Sequence, residues 1–150
     1  MSSKLLAFRP PRIALFLVAV AVLLHLTMPL PFELFTNIYL GSLVIAIGFG
    51  VMMAGWWLFR KHRTAICPTG TPSSLVVDGI YRFTRSPMYL GIFSMLLGLA
   101  IIVGSLPFYF AAVAFLIVID TVFCPYEDEN LQRLFGDDFL RYKARVRRWL

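Results

Sequence analysis

The sequence is poor in charged residues, histidine and cysteine, and each shortage excludes a class of protein. Asp, Glu, Lys and Arg make up only 15% of the 150 residues, whereas a soluble globular chain carries roughly 25%. The two histidines and two isolated cysteines, Cys67 and Cys124, are too few for a disulfide framework or a His/Cys metal cluster. Because hydrophobic residues make up 59% of the chain, we expect an integral membrane protein without a metal site.

Four apolar stretches predict an all-α fold with about four transmembrane helices in a single domain. We place the spans at approximately residues 13–30, 38–59, 88–103 and 106–123. The second stretch has 22 residues and no charge, which is enough for a helix to cross a hydrocarbon core of about 30 Å. The third and fourth are short for full spans, which implies tilt, local thinning of the bilayer or a hairpin inside the bundle.

The basic residues predict the orientation of these spans. The formal net charge is +6, and Lys and Arg collect near the N-terminus, in the loop around residues 60–85 and near the C-terminus. Since the other two loops contain neither residue, the positive-inside rule puts both termini in the cytoplasm. We interpret the basic blocks as topology signals and lipid headgroup contacts, not as a nucleic-acid surface. The compact chain, which lacks targeting extensions, suggests a bacterial inner membrane.

One face of the second span is made of small residues. Gly41, Gly48 and Gly55 recur every seven residues, so they lie on the same side of a helix. Small residues on one face let another helix approach closely. The spacing therefore predicts a close helix–helix contact, either within one chain or between two copies.

The C-terminal segment, residues 126–150, predicts an amphipathic helix on the cytoplasmic membrane surface. Acids open it at Glu127–Glu129, where a helix N-terminus favours negative charge, and basic residues close it near anionic headgroups. Apolar residues recur between them at roughly helical spacing. We expect Pro125 to end the preceding span and Gly136 to kink the segment. Asp120 is a candidate functional residue because acids at membrane depth are costly.

Polar and aromatic side chains crowd the stretch between the second and third spans. Within a dozen positions it contains Asp78, Tyr81, Arg82, Arg85, Pro87 and Tyr89. Polar groups that are buried without partners at the mouth of a membrane span cost several kcal/mol or so each. We therefore interpret residues 64–87 as a cofactor-binding loop at the cytoplasmic membrane surface.

The chain carries two motifs in a fixed order. The first consists of Gly79, Tyr81, Arg85, Ser86, Pro87, Tyr89 and Gly91. About 35 residues later, the second consists of Glu127, Asp128, Leu131, Phe135, Gly136, Phe139, Tyr142 and Val146. In order and separation these motifs resemble the isoprenylcysteine carboxyl methyltransferase family, and phospholipid methyltransferases have a related signature. The resemblance covers about half of the chain, roughly residues 73–149.

This resemblance implies an integral membrane methyltransferase that uses S-adenosylmethionine without a soluble Rossmann fold. By position in the motifs, it implies cofactor binding by Ser73, Ser74, Leu75, Val76, Tyr81, Ser86, Pro87, Met88, Tyr89 and Glu127. The chemistry agrees, because an aromatic face attracts a cationic sulfonium and free N–H groups at a helix start suit a carboxylate. Arg85 and Asp128 are our candidate catalytic residues. Arg85 either holds the carboxylate of the cofactor or pairs with Asp128.

Four positions depart from the family pattern. Ser86 stands in place of the histidine of an Arg-His-Pro motif, Asp128 in place of a second glutamate and Phe139 in place of a tyrosine. Phe123 stands where eukaryotic carboxyl methyltransferases have a substrate-binding arginine, which weakens the case for a prenylcysteine substrate. We expect a lipid-like or small hydrophobic acceptor that offers a carboxylate, an amine or a thiol.

Two other functions fit parts of this pattern. NADPH-dependent sterol reductases carry a similar Arg-His-Pro-x-Tyr-x-Gly element, but they are usually longer and need extra cations for the 2′-phosphate. A non-enzymatic membrane scaffold is the third hypothesis, and it requires the arginine–carboxylate constellation to be a coincidence. If the acceptor is an amine, a base must remove its proton, and Glu127, Asp128 and Asp120 are the nearby candidates.

Overall fold

The computed structural model describes residues 10–27, 35–64 and 73–149. Within these ranges there are five α-helices, which we label α1 (Pro10–Thr27), α2 (Ile38–Lys61), α3 (Pro87–Val103), α4 (Leu106–Val118) and α5 (Cys124–Arg145). A short 3-10 helix (Gly79–Arg82) precedes α3, and a π-helical turn (Ile119–Phe123) joins α4 to α5. The described ranges contain no strand, in agreement with the predicted all-α class.

Three helices in the described ranges are long and apolar enough to cross a membrane. They are α1, α2 and the 40-residue helical stretch from Leu106 to Arg145, which is kinked at Gly136. α3 is also apolar but has only 17 residues. The chain is therefore an all-α integral membrane protein, as predicted. The part of the 40-residue stretch before Gly136, where the helix is kinked, is about 45 Å long. This exceeds a hydrocarbon core of about 30 Å, so α5 extends beyond that core.

A seam of glycines joins α2 to α3. A Cβ atom at Gly48 would lie 2.7 Å from the carbonyl oxygen of Gly91, and one at Gly41 would lie 2.6 Å from that of Gly98. The two backbones touch because neither helix carries a side chain at these positions. The predicted glycine face is confirmed, and its partner is a helix of the same chain.

Proline and glycine set the bounds of α3 and α4. Pro87 lies in the first turn of α3, where a missing N–H loses no helical hydrogen bond. Gly104 ends α3 with a left-handed φ of 67°, which glycine adopts without steric cost. Ser105 then precedes α4, which has Pro107 in its first turn. These residues form a tight turn, and α3 and α4 make a helical hairpin.

Pro125 does not end the fourth span, so this expectation was wrong. The π-helical turn continues directly into α5, and Pro125 lies in the first turn of α5. Within the π-helical turn, the N–H of Cys124 bonds to the carbonyl of Ile119, five residues earlier. The proline is accommodated because the regular hydrogen-bond pattern, which proline cannot continue, is already interrupted there. The expected kink in the segment is confirmed at Gly136, where φ is 50° and ψ is −122°.

The core of the bundle lies where the π-helical turn meets α1 and α3. Phe115, Ile119 and Phe123 are fully buried, and they belong to one cluster with Tyr89 of α3 and Ala14 of α1. This packing puts the first turn of α3 beside the first turn of α5. The two sequence motifs therefore meet at one end of the bundle.

Candidate cofactor-binding site

The motif loop, residues 73–86, is fixed between α2 and α5. Tyr81 of the 3-10 helix is buried with Leu58 of α2 and Val76 of the loop. The carbonyl oxygen of Tyr81 accepts a 2.7 Å hydrogen bond from the hydroxyl of Tyr142 in α5. Gly79 has a φ of 55°, and a Cβ atom there would lie 2.9 Å from the side chain of Leu58. Two helices therefore position the aromatic ring of Tyr81.

A buried threonine holds the start of the motif loop. The hydroxyl oxygen of Thr64 accepts hydrogen bonds from the backbone N–H groups of Ser73 (3.0 Å) and Ser74 (3.4 Å). The Ser73 hydroxyl donates to the carbonyl of Arg63 at 3.3 Å. By contrast, the Ser74 hydroxyl is buried and has no hydrogen-bond partner in the part of the chain that the structure describes. This hydroxyl is available to a ligand.

Tyr89 and Glu127 join the two motifs. The hydroxyl of Tyr89, in the first turn of α3, donates a hydrogen bond to Oε1 of Glu127, in the first turn of α5. Burial raises the pKa of Glu127 to about 7. The hydrogen bond from Tyr89 and the charge of Arg148 oppose this rise, whereas the neighbouring Asp128 adds to it. The Glu127 carboxyl therefore changes its charge near neutral pH.

Asp128 binds three cations. Nη1 of Arg85 lies 2.9 Å from Oδ1, while Nζ of Lys143 and Nη2 of Arg148 each lie 3.1 Å from Oδ2. Burial alone would raise the pKa of Asp128, but these cations outweigh that effect and hold the pKa below its usual range. Arg85 therefore pairs with Asp128, and its role toward the carboxylate of a cofactor stays a prediction.

The C-terminal tail, residues Val146–Trp149, binds back to the motif loop. Val146 is extended and ends α5. The backbone N–H of Arg85 donates to the carbonyl of Arg147 at 3.0 Å, and the hydroxyl of Thr84 donates to the carbonyl of Arg148 at 2.7 Å. The tail therefore closes one side of the site, beside the ion pair of Arg85.

Asp120, in the π-helical turn, is bound by the same tail. Its Oδ1 accepts hydrogen bonds from Nη1 of Arg148 at 2.9 Å and from Nε1 of Trp149 at 3.0 Å. Arg148 therefore contacts two acids that are eight residues apart in the sequence. Trp149 also packs against the hydrophobic core of the bundle.

The structure brings several of the predicted site residues together. Tyr89 meets Glu127 and Arg85 meets Asp128, while the hydroxyl of Ser86 lies 3.8 Å from Sγ of Cys124. Val76 is buried beside Tyr81, and Pro87 and Met88 face Gly55 of α2. Ser73 and Ser74 are held by Thr64, with Leu75 next along the chain. The roles of these residues toward a cofactor stay predictions.

Sequence reasoning missed residues that hold the site in place. Thr84 lies next to Arg85 of the first motif, and Tyr142 belongs to the second motif. Their positions could therefore have marked them as residues of the site. Thr64 and Arg148 gave no such signal, because their partners are remote in sequence and the bonds depend on the folded loops. Arg148 had been counted only among the basic residues expected near lipid headgroups.

Three buried polar atoms in this region have no hydrogen-bond partner among the described residues: Oγ of Ser74, Nε of Arg85 and Nε of Arg148. Buried polar groups are usually paired, so such donors suit a ligand with oxygen acceptors, for example a carboxylate or ribose hydroxyls. Within the described ranges, no group of three or more His, Cys, Asp or Glu side chains is placed to hold a metal ion.

The fold and this site define a class: a helical membrane protein with a tyrosine–carboxylate pair at one end of its bundle. The family model for phospholipid methyltransferase matches residues 36–138, a range that contains both Tyr89 and Glu127. The chain belongs to this family of membrane methyltransferases, which confirms the resemblance seen in the motifs. An uncharacterized protein of Haemophilus influenzae is 35% identical over 63 residues, which are 42% of this chain and 100% of that protein. No solved structure gives a significant match.

Proposed function

We propose that this protein transfers a methyl group from S-adenosylmethionine to a lipid-like or small hydrophobic acceptor at the membrane surface. The observation that carries the proposal is the hydrogen bond between Tyr89 and Glu127. It unites the two motifs that resemble methyltransferases, within the range that the family model matches. Buried carboxyl groups with a raised pKa cluster at functional sites, so the buried Glu127 favours a binding site over a scaffold.

The residues at the site suit this cofactor. When bound, S-adenosylmethionine supplies a methyl group on a positively charged sulfur. Glu127 accepts hydrogen bonds from an amino group or ribose hydroxyls, and the rings of Tyr81 and Tyr89 favour a nearby cation. The free hydroxyl of Ser74 adds a donor. Our proposed cofactor-binding residues remain Ser73, Ser74, Leu75, Val76, Tyr81, Ser86, Pro87, Met88, Tyr89 and Glu127.

The protein's part in the reaction is to align donor and acceptor and to exclude water. Arg85 and Asp128, which the motifs suggested as catalytic residues, support this role through their ion pair, because Asp128 adjoins Glu127. The Nε atom of Arg85 stays free to donate to the carboxylate of the cofactor. If the acceptor is an amine, Glu127 is the better base, because three cations keep Asp128 ionised and weakly basic.

We also propose that both termini face the cytoplasm, in a bacterial inner membrane. Arg60 and Lys61 end α2, and Thr64, just beyond them, binds the motif loop. The motif loop in turn binds the basic C-terminal tail. These positive charges therefore lie at one end of the bundle, as the positive-inside rule requires of a cytoplasmic face.

Calorimetric titration of the detergent-purified full chain with S-adenosylhomocysteine tests the cofactor, with NADPH titrated in parallel. We expect saturable binding that Glu127→Gln abolishes. Glu129→Gln is the matched control, because Glu129 lies on the same helix but is 74% exposed and contacts only Arg133 among the salt bridges of the described residues. Transfer of a labelled methyl group from S-adenosylmethionine to a membrane lipid extract then tests the acceptor.

Two results would overturn this function. One is the absence of S-adenosylhomocysteine binding in a sample that is monodisperse and helical by circular dichroism. The other is saturable binding of NADPH in its place, which would favour a membrane reductase.

A further inference from the structure

The side chain of Arg148 connects two acids that lie on either side of the start of α5. One is Asp120 in the π-helical turn, and the other is Asp128 in α5. Different nitrogen atoms make the two contacts, Nη1 at 2.9 Å and Nη2 at 3.1 Å. A planar guanidinium presents these two donors on separate nitrogen atoms that are held in a fixed fork. Glu127 lies between these two acids in the sequence.

The π-helical turn is what makes this bridge possible. In a regular α-helix, residues eight positions apart differ by about 80° around the axis. A π-helical turn absorbs one extra residue, so Asp120 and Asp128 behave as if seven apart and differ by only about 20°. They therefore share a face, and one arginine can reach both. Without the turn, Glu127 would also be rotated away from its present direction.

The tail that carries Arg148 is fixed independently of this side chain. Its backbone carbonyls accept hydrogen bonds from Arg85 and Thr84 of the motif loop, and Trp149 packs on the core. The guanidinium is thus presented to the π-helical turn from an anchored backbone. We call this arrangement a clamp: Arg148, on a fixed backbone, joins Asp120 to Asp128.

We propose that Arg148 is a positioning residue that clamps Asp120 to Asp128 across the π-helical turn and so holds Glu127 against Tyr89. This inference rests on the proposed function, since the geometry being protected is that of the cofactor site. The clamp acts on the acid that binds the cofactor and does not itself need to touch the cofactor.

Arg147 provides a matched control. It is the neighbouring arginine and is exposed, and its contact with the motif loop is made by its backbone carbonyl. Arg147→Ala therefore removes the same charge from the same tail and keeps that contact. Any effect of tail charge on lipids or on the cofactor will appear in both variants, whereas loss of the clamp will appear only in Arg148→Ala.

The first measurement is the Kd for S-adenosylhomocysteine by calorimetry on the full chain. We expect Arg148→Ala to raise this Kd about tenfold or more, the scale of one lost charged hydrogen bond, and Arg147→Ala to change it less than about twofold. Arg148→Lys keeps the charge and a long stem, but its donors share one nitrogen in place of the two that contact Asp120 and Asp128. We expect this variant to fold and to bind S-adenosylhomocysteine clearly more weakly than the natural protein does.

A double-variant comparison tests whether Arg148 acts through Asp120. Asp120→Asn should also raise the Kd, and adding it to Arg148→Ala should change the Kd little further, because both remove the same bridge. The pH midpoint of binding should move upward in Arg148→Ala and not in Arg147→Ala. The titratable groups that interact with Glu127 are Tyr81, Tyr89, Cys124, Asp128 and Arg148, and Arg148 is the one among them whose positive charge favours the ionised form.

The second measurement does not need a cofactor. Cys124 is 2% exposed and lies between the π-helical turn and Glu127. In a Cys67→Ala background, N-ethylmaleimide reports opening of this turn as the alkylation rate of Cys124. We expect Arg148→Ala and Asp120→Asn to accelerate alkylation and Arg147→Ala to leave it unchanged.

Unchanged Kd and unchanged alkylation in Arg148→Ala would overturn the clamp. Full recovery of both in Arg148→Lys would also overturn it, because charge alone would then suffice. If the natural protein binds no S-adenosylhomocysteine but Arg148→Ala still accelerates alkylation, the proposed function fails and the clamp across the turn stands.

Discussion

The glycine seam between α2 and α3 and the polar end of the bundle hold the chain together by opposite means. In the seam, Gly48 and Gly91 bring two backbones into contact by having no side chains. At the polar end, Arg85, Asp128 and Arg148 connect separate segments through directed hydrogen bonds and charge. The stability of the seam depends on the small volume of its residues, whereas the contacts at the polar end depend on the positions of individual donor and acceptor atoms.

This difference has consequences for how each region responds to change. Close backbone packing tolerates no added atom, because neither helix can move without losing the whole contact. An ion-paired site can lose one partner and keep its fold, although the remaining buried charges then lack compensation. We therefore expect substitutions in the seam to affect folding, and substitutions at the polar end to affect binding first.

The largest effect should come from filling the seam. Gly48→Leu puts a side chain where a Cβ atom alone would lie 2.7 Å from the carbonyl of Gly91, and we expect a loss of about 3 kcal/mol or more of stability. Gly50→Leu is the control on the same helix, since no atom lies within 4 Å of a Cβ there. Thermal unfolding in detergent measures both. Equal unfolding midpoints for the two variants would show that the seam is not closely packed.

The next effect concerns the pH dependence of cofactor binding. The Glu127 carboxyl loses its proton near pH 7 in the folded protein and near pH 4.5 when unfolded. Between these values the folded state holds the extra proton, so raising the pH lowers the stability of the free protein. Cofactor binding that needs the carboxylate should instead strengthen, by about 30-fold from pH 5.5 to 8.

Calorimetry with S-adenosylhomocysteine across this range checks the pH profile. Glu129→Gln should keep it, because Glu129 is an exposed residue. A Kd that is constant from pH 5.5 to 8 would mean that ionisation of Glu127 plays no part in binding.

A smaller effect should follow from removing one hydroxyl group at the polar end. Tyr142→Phe deletes the hydrogen bond to the carbonyl of Tyr81 and should cost about 1 kcal/mol of stability. It should also weaken cofactor binding, because that bond fixes the loop that carries Tyr81. Tyr39→Phe, at a tyrosine that is 85% exposed, is the control for thermal unfolding and for calorimetry. Identical behaviour of the two variants would contradict this role.

The smallest effect should come from an exposed ion pair on α5. Arg133 and Glu129 lie one helical turn apart at 3.1 Å, with both side chains more than 70% exposed. Arg133→Ala should change stability by about 0.5 kcal/mol or less and leave cofactor binding unchanged. If Arg133→Ala weakened cofactor binding as much as Arg148→Ala does, positive charge near the site in general, and not the clamp, would support the site.

Much of this architecture could be predicted because it depends on local sequence. Charge-free stretches indicated the membrane helices, and the seven-residue glycine spacing indicated the seam. The prediction for Pro125 was wrong because the local rule for proline assumes a regular α-helix. Whether a π-helical turn precedes the proline is decided by how Phe123 and Ile119 pack in the core, and periodicity does not contain that information.

The candidate site was likewise predictable in its residues but not in the contacts between them. The two motifs pointed to Tyr89, Glu127, Arg85 and Asp128, because their residue types and order are visible in the chain. Which of them touch was not visible, and only the folded structure shows that Arg85 pairs with Asp128. Arg148 was missed altogether, since its two acids lie 20 and 28 residues away and share a face only after the helix has widened.

The sequence by itself determined the membrane class, the family and the residue types available for a cofactor, because composition, spacing and motif order do not depend on the fold. Only the tertiary structure decided that the glycine face is used within the chain, that the helix continues through Pro125 and that the tail returns to the motif loop. Those outcomes depend on contacts between residues far apart in sequence. Their geometry is fixed by how helices and loops pack together, not by the sequence of any one segment.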